Sequence, residues 1–124
     1  MKRKGHILVV EPDDLIREIL ERWLREAGYT VTVQALQKLP KARMRGEAPH
    51  LIVVDVPNPR TAAKLIQSLQ EVYPTPILLL SARFRRGLGA SVDVARQLGV
   101  RKILPKPFTS DELLSAVSES IDVP

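Results

Sequence analysis

The chain has 124 residues, of which 44% are hydrophobic and 27% charged, and its formal net charge is +5 at pH 7. These proportions are typical of one globular domain, residues 1–124, and they exclude disordered and fibrous classes. The chain contains no cysteine, which rules out a disulfide framework and a thiolate metal site. The apolar run from Ile7 to Val10 is too short for a signal peptide or a membrane span, so we expect a cytoplasmic protein that makes no membrane contact.

The positive charge does not indicate nucleic-acid recognition. Almost no aromatic residues stand between the basic clusters to stack on bases; the clusters are Lys2 to Lys4, Lys38 to Arg45, Arg83 to Arg86, and Arg101 with Lys102. Charge alone supplies only non-specific attraction. We therefore interpret the clusters as solvated surface and expect no specific nucleic-acid binding by this domain.

Short apolar runs alternate with helix-like stretches along the whole chain, which predicts βαβ units and a parallel sheet. In chain order, the first elements are a strand at His6 to Val10, a helix from Asp13 or Asp14 to Gly28, a strand at Thr30 to Val33, and a helix around 39–45. Then follow a strand at Leu51 to Val54, a helix from Pro59 to Leu69, a strand at Pro76 to Leu80, a helix from Ala90 to Leu98, a strand at Lys102 to Leu104, and a helix that begins after Thr109.

Capping signals support two of these helices in particular. Asp13 or Asp14 can serve as the N-cap of the first helix, and Gly28 can end it. Near the C-terminus, Thr109 and Glu112 have the spacing of a capping box ahead of an apolar stripe. We therefore expect both helices to be well defined.

Three of the predicted strands lead into residues that can carry chemistry. Asp55 follows the wholly apolar run Leu51 to Val54, Glu11 follows the first strand, and Lys106 closely follows the last. In open α/β sheets, sites gather at the carboxyl ends of the parallel strands. Two carboxylates and a lysine that are far apart in sequence are therefore expected to meet at one edge of the sheet.

The segments ILVVEPDD, LIVVD, PILLLSAR and ILPKPFTSDELL, in this order, resemble the receiver domain of two-component response regulators. The resemblance covers nearly the whole chain. It implies a flavodoxin-like (βα)5 fold of the α/β class, which is a doubly wound parallel sheet of five strands in the order 2-1-3-4-5 with helices on both faces.

The resemblance also implies a role for each matching residue. Asp55 would accept a phosphoryl group from a sensor histidine kinase or a phosphotransfer protein. Ser81 and the backbone N–H of Ala82 would bind the phosphoryl oxygens, and Lys106 would pair with the phosphoryl group. The bond before Pro107 is usually cis in this family. Such a domain is not an enzyme in the ordinary sense, beyond self-catalysed phosphoryl transfer and autodephosphorylation.

Mg²⁺ is the cofactor that the resemblance implies, with Glu11, Asp55 and the backbone carbonyl of Pro57 as its protein ligands. The family normally has two adjacent acids after the first strand, whereas here Glu11 is followed by Pro12, which has no side-chain oxygen. We therefore predict Mg²⁺ binding that is weakened by about one to two orders of magnitude. Asp13 could substitute by turning inward, although helix capping is its expected role.

Two other segments depart from the family pattern. Ile103 occupies the position, three residues before the lysine, where the family often has an aromatic side chain whose rotation reports phosphorylation. Coupling to a partner must therefore use another element. The loop 82–91 is longer than usual and contains Phe84 flanked by arginines, which we interpret either as a partner anchor or as a residue that covers the fourth helix.

Two functions stay open at this point. The domain could signal through phosphorylation, to a downstream protein or an effector domain, or it could be a degenerate pseudo-receiver that acts as a phosphorylation-independent interaction module. Pro12 and Ile103 favour the second, whereas the presence of Asp55, Ser81 and Lys106 favours phosphorylation, which we expect. The family's usual partner surface, formed by the fourth helix, fifth strand and fifth helix, is basic here through Arg96, Arg101 and Lys102, which predicts an acidic partner or a homodimer. A flavodoxin-like enzyme or nucleotide binder is disfavoured, because no glycine-rich phosphate loop follows any strand.

Overall fold

The computed structural model describes residues 5–11, 13–34, 49–55, 59–81 and 95–121. Its strands are β1 (His6–Val10), β2 (Thr30–Gln34), β3 (Leu51–Asp55), β4 (Ile77–Ser81) and β5 (Lys102–Pro105). They form one sheet in the order β2-β1-β3-β4-β5, and every neighbouring pair is parallel. The predicted flavodoxin-like sheet and its strand order are confirmed.

The helices are α1 (Asp14–Glu26), α2 (Pro59–Val72) and α3 (Ser110–Ser120), and residues 95–98 are also helical. They agree with the first, third and last predicted helices and with the end of the fourth. The second predicted helix, around 39–45, and the loop 82–91 lie outside the described residues.

The two faces of the sheet carry separate apolar cores, because side chains alternate along each strand. On one face, Leu8, Ile52 and Leu79 pack with Ile66 and Leu69 of α2. On the other face, the sheet packs against α1 and α3 in a core that includes Ile7, Val9, Val53, Leu20, Leu24, Leu113 and Val117. All residues of β3 and β4 are buried, which explains why these strands have apolar runs with no polar alternation.

The predicted caps are present at both helices. Asp13 is the N-cap of α1, and its side chain accepts a hydrogen bond from the backbone N–H of Ile16 at 3.1 Å. Gly28 follows the helix with φ at 103°, a left-handed conformation that favours glycine. Thr109 and Glu112 form the predicted capping box at the start of α3. Asp13 therefore caps α1 in this structure.

The strands end where the sheet pairing ends. β3 extends to Asp55, which pairs in register with Leu80, and β4 extends to Ser81, which pairs with Pro105. Both polar residues are thus the final residues of buried strands. Within the part of the chain that the structure describes, no helix is long and apolar enough to cross a membrane.

Candidate functional site

The carboxyl edge of the sheet brings together the residues singled out in the sequence. Asp55 ends β3, Ser81 ends β4, Glu11 follows β1, and Lys106 follows β5. All these strands are parallel, so their carboxyl ends lie at the same edge. The residues Glu11, Asp55 and Ser81 are all buried, with relative exposures of 1%, 6% and 0%. This edge is therefore a closely packed polar site.

Asp55 and Lys106 form a direct ion pair. The Lys106 ammonium Nζ donates to Oδ2 of Asp55, and the two side chains are 24% and 8% exposed, respectively. The backbone N–H of Lys106 donates to the carbonyl oxygen of Ser81 at 3.0 Å, which fixes the start of the segment after β5. The Lys106–Pro107 peptide bond is cis, as the family resemblance implied. A carboxylate this deeply buried needs such a partner to offset its loss of hydration.

Glu11 is the second buried carboxyl group of the site. Its Oε1 accepts a hydrogen bond from the backbone N–H of Asp13 at 3.0 Å. Its Oε2 is buried and has no hydrogen-bond partner among the described residues. Burial and the neighbouring Asp55 carboxyl raise the pKa of Glu11 to about 8, although the Asp13 N–H and Lys106 act in the opposite direction. Near neutral pH, a proton or a cation is therefore favoured beside Oε2.

The carboxylate oxygens of Glu11 and Asp55 provide some of the ligands that a hard divalent cation requires. The unpartnered Oε2 of Glu11 and the carboxylate of Asp55 are oxygen ligands of the type that Mg²⁺ prefers, and water usually completes its coordination. Among the described residues, no group of three or more acidic or histidine side chains could hold a metal ion. Among the described residues, Glu11 and Asp55 are the carboxylates that this edge offers to a cation.

Other predicted site residues divide into two groups. Ser81 lies beside Asp55 in the sheet, at the end of the neighbouring strand. The backbone groups assigned to Ala82 and Pro57, and Pro12 itself, lie outside the described residues. The roles of all these residues as phosphoryl and metal ligands stay predictions.

Arg17 also contacts the candidate site, and it was not identified from the sequence. Its Nη1 donates to the backbone carbonyl oxygen of Glu11 at 3.0 Å, and its Nη2 pairs with the Asp14 carboxylate. The spacing of Asp14 and Arg17 on one helix could have predicted the ion pair. The contact with Glu11 depends on the path of the chain between β1 and α1, which has no local sequence signal.

The predicted basic partner surface is partly neutralised within the chain. Lys102 pairs with Glu119 of α3, and Nη1 of Arg101 donates to the carbonyl oxygen of Ser120 at 3.2 Å. Arg96 is exposed. Ile103, which replaces the usual aromatic residue, is buried in the core on the α2 face of the sheet. The charge of Lys102 is therefore offset within the chain itself.

The fold and the strand-end site define a receiver-type domain, and comparison with known proteins agrees. The family "Response regulator receiver domain" matches residues 7–118. The chain therefore belongs to this family of two-component signalling domains.

Curated relatives extend the match in sequence. The chain is 33% identical over 122 residues to the DNA-binding transcriptional regulator NtrC of Proteus hauseri, which covers 96% of this chain and 25% of that protein. It is also 33% identical over 114 residues to the protein PetR of Rhodobacter capsulatus, covering 91% of this chain and 47% of the relative. The chain thus spans a quarter to a half of the length of these relatives.

Solved structures extend the match in fold. The chemotaxis protein CheY4 of Vibrio cholerae is 25% identical, with a TM-score of 0.66, and the match covers 94% of this chain and 98% of that one. A CheY-like response regulator of Mesorhizobium loti is 19% identical, with a TM-score of 0.71 and the same two coverages. The second likeness shows the fold alone.

We expect Glu11→Gln to stabilise the metal-free protein, and the gain to grow as the pH rises. Because the pKa of Glu11 is higher in the folded state, about 8 against an ordinary 4.5, the folded chain keeps a proton that the unfolded chain releases. The resulting stabilisation is complete below the unfolded pKa and is lost as the pH rises through the folded one, by at most about 1.4 kcal/mol per pH unit. Glutamine keeps the acceptor for the Asp13 N–H and does not ionise.

Urea unfolding without divalent metal at about pH 5, 6.5 and 8 measures this difference. Glu18→Gln, at an exposed position of α1, is the matched control and should leave the pH dependence unchanged. Equal pH dependence in the wild type and Glu11→Gln would contradict the assignment of a raised Glu11 pKa.

Proposed function

We propose that Asp55 accepts a phosphoryl group from a sensor histidine kinase or a phosphotransfer protein, and that the domain then signals through protein contacts. The observation that carries the proposal is the buried ion pair of Asp55 and Lys106 beside Glu11, at the carboxyl edge of a receiver fold. The Asp55 carboxylate is the nucleophile that this arrangement offers. The Lys106 ammonium beside it can pair with the negative charge of the phosphoryl group during the transfer.

In the proposed step, an Asp55 carboxylate oxygen attacks the phosphorus of a phosphohistidine. The new O–P bond forms as the P–N bond breaks, and the electron pair of the broken bond returns to the imidazole. Lys106 would exchange its contact with Oδ2 of Asp55 for a phosphoryl oxygen, while Ser81 and the N–H of Ala82 would bind the others. Such transfer depends mainly on positioning and on charge stabilisation.

Mg²⁺ would be held by Glu11, Asp55, the backbone carbonyl of Pro57 and water, and it would neutralise charge on the transferred group. The unpartnered Oε2 of Glu11 supports this assignment. Because Pro12 offers no side-chain oxygen, the site lacks one carboxylate of the family pattern, and we propose that its Mg²⁺ affinity is weakened. Lys106 then carries a larger share of the charge stabilisation.

The relatives suggest where the signal goes. NtrC is a DNA-binding transcriptional regulator and is about four times as long as the matched segment. We propose that this domain controls a downstream protein or an effector domain through the surface made by residues 95–98, β5 and α3. Arg96 is exposed on this surface and would be available to an acidic partner or a second copy.

The function predicts that a small phosphodonor or a cognate kinase, with Mg²⁺, will add one phosphoryl group to the intact protein. Asp55→Asn should abolish the addition, because the amide is a much weaker nucleophile than the carboxylate. Intact-protein mass spectrometry measures the product. Asp111→Asn, at an exposed acid of α3, is the control and should be phosphorylated like the wild type.

A pseudo-receiver is the second candidate function, and two observations favour it. Pro12 removes an acidic ligand of the family pattern, and Ile103 replaces the aromatic residue that often reports phosphorylation in this family. Absence of any phosphoryl addition at saturating phosphodonor and Mg²⁺, in a folded protein, would reject phosphorylation at Asp55 and leave the constitutive interaction module.

A second prediction concerns the metal. Pro12→Asp should lower the Mg²⁺ concentration for half-maximal phosphorylation by about tenfold or more, because it restores a carboxylate near the cation. Pro12→Ala is the control, since it removes the proline ring without adding an oxygen ligand. A titration of the initial phosphorylation rate with Mg²⁺ compares the three proteins. Equal half-saturation in Pro12→Asp and Pro12→Ala would contradict the proposed cause of weakened binding.

A further inference from the structure

Hydrogen bonds hold Glu11 on both its strand side and its helix side. On the strand side, the Glu11 N–H donates to the Gln34 carbonyl oxygen at 3.4 Å, which continues the ladder with β2. On the helix side, Asp13 caps α1 and its N–H donates to Oε1 of Glu11 at 3.0 Å. The Glu11 carbonyl oxygen receives Nη1 of Arg17 at 3.0 Å. Both the backbone and the side chain of Glu11 are therefore held by hydrogen bonds from α1 and its N-cap.

These contacts leave Oε2 as the one side-chain oxygen of Glu11 without a partner among the described residues. Oε1 is turned toward the Asp13 N–H, so Oε2 is the atom available to Asp55 or to a cation. A rotation of the Glu11 backbone would move both oxygens. The direction of Oε2 therefore depends on what holds the Glu11 peptide.

Arg17 is well placed for this task. Its side chain is 20% exposed, whereas Asp14, which pairs with its other guanidinium nitrogen, is 88% exposed. An ion pair with so exposed a partner contributes little stability. The planar guanidinium fork instead serves to reach from the first turn of α1 back to the Glu11 carbonyl, with Asp14 fixing its orientation.

We propose that Arg17 is a positioning residue for the phosphoacceptor site: by holding the Glu11 carbonyl it aims Oε2 of Glu11 at the space beside Asp55. The expected effect on metal binding rests on the proposed function. The hydrogen bond from Arg17 to the Glu11 carbonyl, in contrast, is present in the metal-free protein. Because Pro12 supplies no carboxylate, the Mg²⁺ affinity of this chain depends more strongly on the orientation of Glu11. Loss of a group that orients a metal ligand typically weakens metal binding by about tenfold or more.

The same helix offers a matched control at its other end. Arg25 pairs with Glu21 and also donates from Nη2 to the Val31 carbonyl oxygen at 2.9 Å. It therefore makes the same two kinds of contact as Arg17, an acid on α1 and a backbone carbonyl six residues away in sequence, but far from the carboxyl edge. Arg25→Gln removes comparable structural contacts without touching Glu11.

The experiment compares Arg17→Gln, Arg17→Lys and Arg25→Gln with the wild type. In metal-free protein, the amide of Asp13 is followed by NMR, since its proton reports the bond to Oε1 of Glu11. We expect Arg17→Gln to shift this proton upfield and to speed its exchange by about fivefold or more. Arg17→Lys keeps one donor and should restore the signal in part, and Arg25→Gln should leave it unchanged.

Two further measurements are made in the presence of Mg²⁺. The half-saturating Mg²⁺ concentration, from amide shifts without phosphodonor and from phosphorylation rates, should rise by about tenfold in Arg17→Gln and by less than about twofold in Arg25→Gln. The maximal rate at saturating Mg²⁺ should change little in either. Thermal unfolding checks that both variants lose similar stability.

An unchanged Asp13 amide in Arg17→Gln, or an equal change in Arg25→Gln, would overturn the inference. If the wild type neither binds Mg²⁺ nor accepts phosphate, the proposed function fails while the metal-free Asp13 signal still decides the role of Arg17. If Arg17→Gln does not fold, Arg17→Lys should give a smaller change of the Asp13 amide in the same direction, and an unchanged Asp13 amide in that variant would overturn the inference.

Discussion

The site depends on the burial of two carboxyl groups, Glu11 and Asp55, side by side at the carboxyl edge of the sheet. Placing two like charges in a poorly hydrated environment is unfavourable unless a cation or a proton compensates. Lys106 compensates Asp55 directly, whereas one oxygen of Glu11 has no partner among the described residues. The remaining charge conflict favours a proton or a cation at this edge.

The fold brings these two carboxyl groups together because the carboxyl ends of parallel strands lie at the same edge of the sheet. β3 and β4 are buried along their whole length, so Asp55 and Ser81 stay buried although they end their strands. The first turn of α1 supplies the Asp13 N–H and the Arg17 guanidinium, which hold Glu11 from the helix side. The surroundings of Asp55 thus depend on residues at the ends of four strands, β1, β3, β4 and β5, and on the start of α1.

Much of the fold could be predicted from the sequence, because strong local signals agree with one another. The apolar run Leu51 to Val54 predicts a strand covered on both faces, and Thr109 and Glu112 predict the start of α3. The strand order came from the family resemblance and is confirmed. The sequence predicts the strand bounds to within a residue, since pairing with a neighbouring strand decides the last residue of each.

The residues of the candidate site could be predicted from the sequence, but the contacts between their side chains could not. Asp55, Glu11 and Lys106 were identified from their places after predicted strands. The ion pair of Lys106 with Asp55 was not, because it depends on the rotamers of two side chains on different elements. The contact of Arg17 with the Glu11 carbonyl and the pairing of Lys102 with Glu119 were missed for the same reason. Sequence spacing locates residues on elements, whereas the direction of a long side chain follows from packing.

A crystal structure with Mg²⁺ and beryllofluoride, which stands in for the phosphoryl group, tests the central claim most directly. The account predicts beryllofluoride on an Asp55 oxygen, Lys106 Nζ moved from Asp55 to a fluorine atom, and a cation or an ordered water between Glu11 and Asp55. An Asp55 without beryllofluoride, with Lys106 still paired to it at saturating ligand, would contradict the account and identify the domain as a pseudo-receiver.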